Sequence, residues 1–161
     1  MRDLNALFAD YSECHRTAGN KLFHRLGIPL IVLSLLGMLA RVTLFRADGF
    51  NVDLGIVLLV ASAIFYVALD WKLGAAMTAV TVAFYLAGRA LPMWLNAALF
   101  VLGWIFQFIG HAVYEKNSPA FARNLVHLLV GPLWILKGIG PSERTDPAAA
   151  LRPPGGGRTQ P

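Results

Sequence analysis

The sequence predicts an all-α protein: a multi-pass membrane helical bundle of about four transmembrane helices, with an amphipathic helix before them and an interfacial helix after them. Three observations carry this expectation. The chain of 161 residues is 57% hydrophobic and 14% charged, whereas a soluble domain carries about 25% charged residues. Its apolar residues gather into long uncharged runs. Its lysines and arginines lie between those runs, as topogenic charges do, and form no compact patch of the kind that binds nucleic acid.

Residues 3–18 read as an amphipathic helix. Leu4, Leu7, Phe8, Tyr11, Cys14 and His15 follow the i, i+3, i+4 spacing, while Asp3, Asn5, Asp10, Glu13 and Arg16 fall largely elsewhere. Such a helix lies on the membrane surface, and Gly19 is its expected stop. The first 20 residues hold three acids and no apolar run, so no cleavable signal peptide is expected. The first span is expected over 26–45, interrupted only by Arg41, which is near enough to the end to snorkel. Pro29 falls in its first turn, where proline is tolerated.

Residues 54–69 and 73–88 are each uncharged for 16 residues, with Asp70-Trp71-Lys72 as a polar turn between them. Both fall slightly short of the about 20 residues a bilayer needs, and flanking residues extend them. Residues 90–110 give a fourth span of 21 uncharged residues. Residues 125–136 are apolar but broken by His127 and Gly131-Pro132, which suits an interfacial or re-entrant helix. Residues 1–140 therefore read as a single membrane-embedded domain, and the Pro/Gly-rich residues 141–161 as a disordered tail.

Four spans place both ends of the chain on one side. Of 14 basic residues, 11 then share that side, and only Arg41, Arg46 and Arg89 fall on the other. The positive-inside rule makes the shared side cytoplasmic. The same topology brings His15, His24, His111 and His127, the whole histidine complement, to the cytoplasmic face.

Converging neutral imidazoles at a membrane surface point to a metal site. A lone interfacial histidine is ordinarily a headgroup-level polar residue, so the weight rests on the convergence. Gln107, His111 and Glu115 are spaced i, i+4, i+8 on one helix face, and a glutamine inside an apolar span needs a partner within the bundle. Asn20 and His24 are likewise i, i+4. His15 and His24 are nine residues apart and face one site only if the chain breaks between them, for which Gly19-Asn20 is the expected place. Glu115 has a structural alternative in pairing with Lys116 or Arg123. Cys14 is the sole cysteine, which excludes an internal disulfide and a cysteine-based zinc cluster. Nitrogen and carboxylate donors without thiolate suit iron, copper, manganese or zinc. The many-histidine boxes of membrane desaturases are absent, since there are 4 histidines.

Two motifs carry a resemblance to a known family. Tyr11-x3-His15-x4-Asn20-x3-His24-x2-Gly27-x-Pro29 resembles the first motif of the membrane 2-hydroxy fatty acid dioxygenases. Trp104-x2-Gln107-Phe108-Ile109-Gly110-His111-x3-Glu115-Lys116-x2-Pro119-Ala120 resembles the second. The resemblance implies an Fe(II)-dependent dioxygenase of fatty acid α-oxidation, in which a long-chain 2-hydroxy fatty acid and O₂ give the acid one carbon shorter and CO₂, without 2-oxoglutarate. It implies His15, His24 and His111 as iron ligands, with Gln107, Asn20 and Glu115 as supporting residues of the site. His127 is a fourth ligand or a neighbour. It also implies an integral protein of a bacterial inner membrane, or of the endoplasmic reticulum in a eukaryote, in contact with membrane lipid. Competing readings are a non-catalytic four-helix protein that binds lipid or a partner, and a b-type haem protein with two axial histidines. A proton-coupled transporter fits less well, because the spans hold no acid near mid-membrane.

Overall fold

The structure is a computed structural model that describes residues 3–47, 50–116 and 124–139. The tail expected at 141–161 lies outside the described residues. Helix α1 (Leu4–Glu13) starts at Asp3, whose side chain accepts from the Asn5 N–H, and stops at Cys14, whose own N–H turns back to Ser12 and Tyr11. Helix α2 (Ala18–Leu39) starts at Thr17, whose hydroxyl oxygen accepts from the Asn20 N–H. The break between His15 and His24 therefore falls at 14–17, not at Gly19-Asn20. A threonine N-cap outweighs the stop signal of a glycine that follows it. Gly19 sits in the first turn of α2 for a different reason: a Cβ there would enter the Tyr114 ring.

The long first span also ends sooner than its hydropathy suggests. After Leu39 the chain forms an antiparallel hairpin, β1 (Thr43–Ala47) and β2 (Phe50–Asp53), with Phe45 opposite Val52 and Arg46 opposite Asn51. The β-branched pair Val42-Thr43 and the Asp48-Gly49 dipeptide are the local signals for it. Asp53 then caps helix α3 (Leu54–Leu69) by accepting from the Ile56 N–H, and Asp70 caps helix α4 (Trp71–Ala90) through Leu73 N–H. Helix α5 (Met93–Ile109) runs on into a π-helical turn, Gly110–Glu115, which ends at Lys116 with φ 54. Helix α6 is His127–Ile139.

Apart from the hairpin, the described fold is helical. Three of its helices are long and apolar enough to cross a membrane: Ala18–Leu39, Trp71–Ala90 and Met93–Glu115. Helix α3 is as apolar but shorter at 16 residues, about 24 Å at the helical rise against a hydrocarbon layer of about 30 Å. Large apolar side chains such as Ile64, Leu86 and Phe108 stand more than half exposed on the outside of the bundle, as a lipid-facing surface requires. Inside it, α2 packs on α5 and α4, and α3 packs on α4.

Small residues permit the close crossings: a Cβ on Gly88 would meet the Leu33 carbonyl, and one on Gly103 would meet Ile31 and the Gly27 carbonyl. Arg41 donates to the carbonyls of Leu91 (2.7 Å) and Arg89 (3.2 Å), so these positions share one end of the bundle. Asn20 and Glu115 meet at the other. At that end Leu7, Phe8 and Tyr11 of α1 pack with Val130 and Leu133 of α6, against Tyr66 and Met77. This α1–α6 layer closes over the site.

Candidate metal centre

His15 comes from the 14–17 connection, His24 from the second turn of α2, and His111 from the π-helical turn. All three are buried, and each offers a ring nitrogen within 4.8 Å of the other two. Their ring centroids form a near-equilateral triangle of 4.4, 4.8 and 5.0 Å, with the rings edge-on to one another. This cluster can hold a metal ion. The expected convergence of these three histidines is what the fold brings about.

The ring nitrogens are already sorted. His15 Nδ1 lies 2.6 Å from the Tyr11 carbonyl oxygen and His24 Nδ1 lies 3.0 Å from the Asn20 carbonyl oxygen. A carbonyl only accepts, so both Nδ1 atoms carry the proton and both Nε2 atoms keep their lone pair. That is how metal-binding histidines are oriented. His15 Nε2 and His111 Nδ1 are buried without a hydrogen-bond partner, a state that is costly unless something else accepts them. Burial also lowers the His15 pKa to about 4, so its imidazole is neutral at physiological pH. The Tyr11 ring stacks flat on His15 at 4.0 Å, and burial raises the pKa of its hydroxyl.

A pocket opens beside the triad, lined by Ile28, Ile31, Val32, Trp104, Gln107 and His127 as well as Tyr11. The residues expected to support the site divide here. Gln107 lines the pocket, with its Nε2 buried and unpartnered. Asn20 and Glu115 do not line it. The Glu115 carboxylate instead accepts from the N–H groups of Arg16 (2.9 Å) and Thr17 (3.1 Å), the Thr17 hydroxyl (2.9 Å) and Asn20 Nδ2 (3.1 Å). Asn20 Nδ2 also donates to the Cys14 carbonyl at 3.1 Å. The two residues thus clamp the connection that carries His15. A carboxylate at this place also suits the positive end of α2.

His127 lies outside the group of three. Its Nε2 is 2.8 Å from Asp10 Oδ2, and its Nδ1 is buried and unpartnered beside the pocket. Sequence reasoning gave no role to Asp10 or Thr17. Thr17 carried a local signal, since a threonine before an apolar run is an N-cap candidate. Asp10 carried none, because its partner is 117 residues away.

The family described as 2-hydroxy-palmitic acid dioxygenase Mpo1-like matches residues 1–140. The chain belongs to this family. Over 137 residues it is 30% identical to the 2-hydroxy-palmitic acid dioxygenase MPO1 of Saccharomyces cerevisiae, covering 84% of this chain and 79% of the yeast protein. No solved structure matches the chain.

Proposed function

We propose that this protein is an Fe(II)-dependent dioxygenase that converts a long-chain 2-hydroxy fatty acid and O₂ to the acid one carbon shorter, CO₂ and water. The observation that carries the reading is the buried triad of His15, His24 and His111, two of its rings oriented by backbone carbonyls, beside a largely apolar pocket. The donor set fits the metal. Neutral imidazoles without a thiolate suit Fe(II), and the buried unpartnered nitrogens of His15 and His111 are what an ion would satisfy. When bound, the iron supplies activation of O₂ and Lewis-acid polarisation of the substrate oxygens. A b-type haem fits poorly, since three rings within 5.0 Å of one another leave no room for a porphyrin between any two.

The chain's own residues do the rest. Gln107 Nε2, having no acceptor among the described residues, donates to the substrate carboxylate. His127 gives its Nε2–H to Asp10, so its Nδ1 keeps a lone pair that accepts the proton of the 2-hydroxyl. Trp104, Ile28 and Ile31 keep water from the bond between the first two carbons. Asn20 and Glu115 are positioning residues that hold the His15 connection and the start of α2. Residues 1–140 act as one membrane-embedded unit in which α2, α3, α4 and α5 cross the bilayer, while α1 and α6 lie at the cytoplasmic surface of a bacterial inner membrane, or of the endoplasmic reticulum in a eukaryote. An acyl chain there stays in hydrocarbon at about 0.8 kcal/mol per methylene, which is why the site sits where apolar helices meet the headgroup layer.

The test is turnover by purified protein reconstituted with Fe(II) in air, without 2-oxoglutarate. 2-Hydroxypalmitate is expected to yield the C15 acid and CO₂ in equal amounts, and palmitate, lacking the second oxygen, is expected to yield neither. If folded, iron-loaded protein leaves a range of 2-hydroxy acids untouched, the substrate assignment falls.

A further inference from the structure

The histidine pocket has an apolar neighbour within the bundle. Ile28 and Val32 line the pocket, and the same two residues line a second cavity of about 170 Å³ bounded by Met77, Val80 and Phe84 of α4 and Ile135 of α6. Among the described residues no charged or polar side chain lines this second cavity, so an apolar occupant suits it. His24, Ile28 and Val32 are spaced i, i+4, i+8, so they occupy one face of α2. From His24 to Val32 that face runs about 12 Å at the helical rise, leading from the triad to the second cavity. On α4, Met77 lies nearer the end that carries Lys72, and Phe84 lies deeper toward Arg89.

We propose that this cavity receives the acyl tail of the substrate, and that Val80 and Phe84 set the chain length the protein accepts. The proposal rests on the fatty-acid reading given above and adds where the tail lies. Adjacency decides the occupant: a chain whose carboxyl end is held among His15, His24, His111 and Gln107 has Ile28 and Val32 as its next contacts, and both residues also line this cavity. The tail is thereby packed between α2, α4 and α6 rather than left in bulk lipid.

The experiment uses the full chain, loaded with Fe(II) in lipid nanodiscs, and a 2-hydroxypalmitate analogue with a diazirine near the end of its chain. Photolysis followed by peptide mapping is expected to place the label on the Met77–Phe84 stretch and on Ile135, and excess 2-hydroxypalmitate is expected to remove it. Label confined to the outward-facing Ile64 and Val67 overturns the proposal. So does cavity label that excess acid leaves in place, since the occupant is then a bilayer lipid. A second arm compares C10 with C16 substrates. Val80→Trp is expected to lower the C16 preference by about fourfold for each methylene displaced, Phe84→Ala to shift it toward longer chains, and the outward-facing Val67→Trp to leave it alone. A folded Val80→Trp protein with an unchanged profile also overturns it. Displaceable cavity label without turnover of any 2-hydroxy acid keeps the tail site and removes the reaction.

Discussion

Asn20 and Glu115, 95 residues apart in the chain, share a hydrogen bond of 3.1 Å that ties the start of α2 to the π-helical turn. Each end of this contact reaches a histidine. The Asn20 carbonyl orients His24 at 3.0 Å, and Glu115 holds the backbone of Arg16 and Thr17 next to His15. His111 lies in the same π-helical turn as Glu115. One contact therefore fixes the relative placement of all three rings. Wide helical turns of this kind recur at functional sites because they re-aim side chains.

Replacing Glu115 by glutamine keeps the shape of the clamp and removes its charge. One side-chain oxygen remains as acceptor, but two backbone N–H groups, a hydroxyl and an amide compete for it. Metal affinity is expected to fall about 10–100-fold, the usual size for residues that orient ligands, while helix content is unchanged. Iron titration alongside circular dichroism reads both. Unchanged affinity removes the positioning role.

His127 is expected to separate from the triad. His15→Ala, His24→Ala and His111→Ala each lose iron on purification, measured by elemental analysis. His127→Ala and Asp10→Ala retain it and lose turnover, because the first removes the proposed proton acceptor and the second removes the carboxylate that holds its Nε2–H. Loss of iron in His127→Ala to the same degree makes His127 a fourth ligand instead.

The apolar runs made the helical fold legible, and residue type and spacing already pointed to His15, His24 and His111 as a group. What escaped was set by local capping and by tertiary contact. Thr17 starts α2 before Gly19 has any chance to end α1, so the chain break moved. Hydropathy cannot tell that residues 43–47 pair as a strand, because Leu44 and Phe45 score alike in a hairpin and in a span. The pairing of Asp10 with His127, and the reach of Glu115 to the α2 N-terminus, depend on helices packing across the chain. No spacing rule contains them.

Gly110 and Gly138 should respond oppositely to alanine. A Cβ on Gly110 would stand 2.5 Å from Asn20 Oδ1 and 3.3 Å from His24 Nδ1, so one must shift. Overpacking of this kind destabilises by about 1–3 kcal/mol, and here it also disturbs a histidine. Gly110→Ala is expected to lower both melting temperature and iron content. Among the described residues Gly138 has nothing within 4 Å of its Cβ position, and it lies in α6. There alanine is expected to stabilise by about 0.5–1 kcal/mol with iron content unchanged. Equal effects of the two changes would detach Gly110 from the site.

The proposed topology, four crossings with both ends in the cytoplasm, puts Arg46 outside and Lys72 inside. The natural cysteine is a poor reporter of this, because Cys14 is fully buried. In folded protein it should resist maleimide even after permeabilisation and label only on denaturation. Single cysteines at the exposed positions 46 and 72, in a Cys14→Ser background, report directly. Arg46→Cys is expected to label in intact cells with a membrane-impermeant maleimide, and Lys72→Cys only once the membrane is opened. If α3 instead folded back without crossing, its two ends would stay on one side, and both cysteines would label alike. The short length of α3, 16 residues, makes this pair the decisive one. Unlike the charge count, it tests that helix by itself.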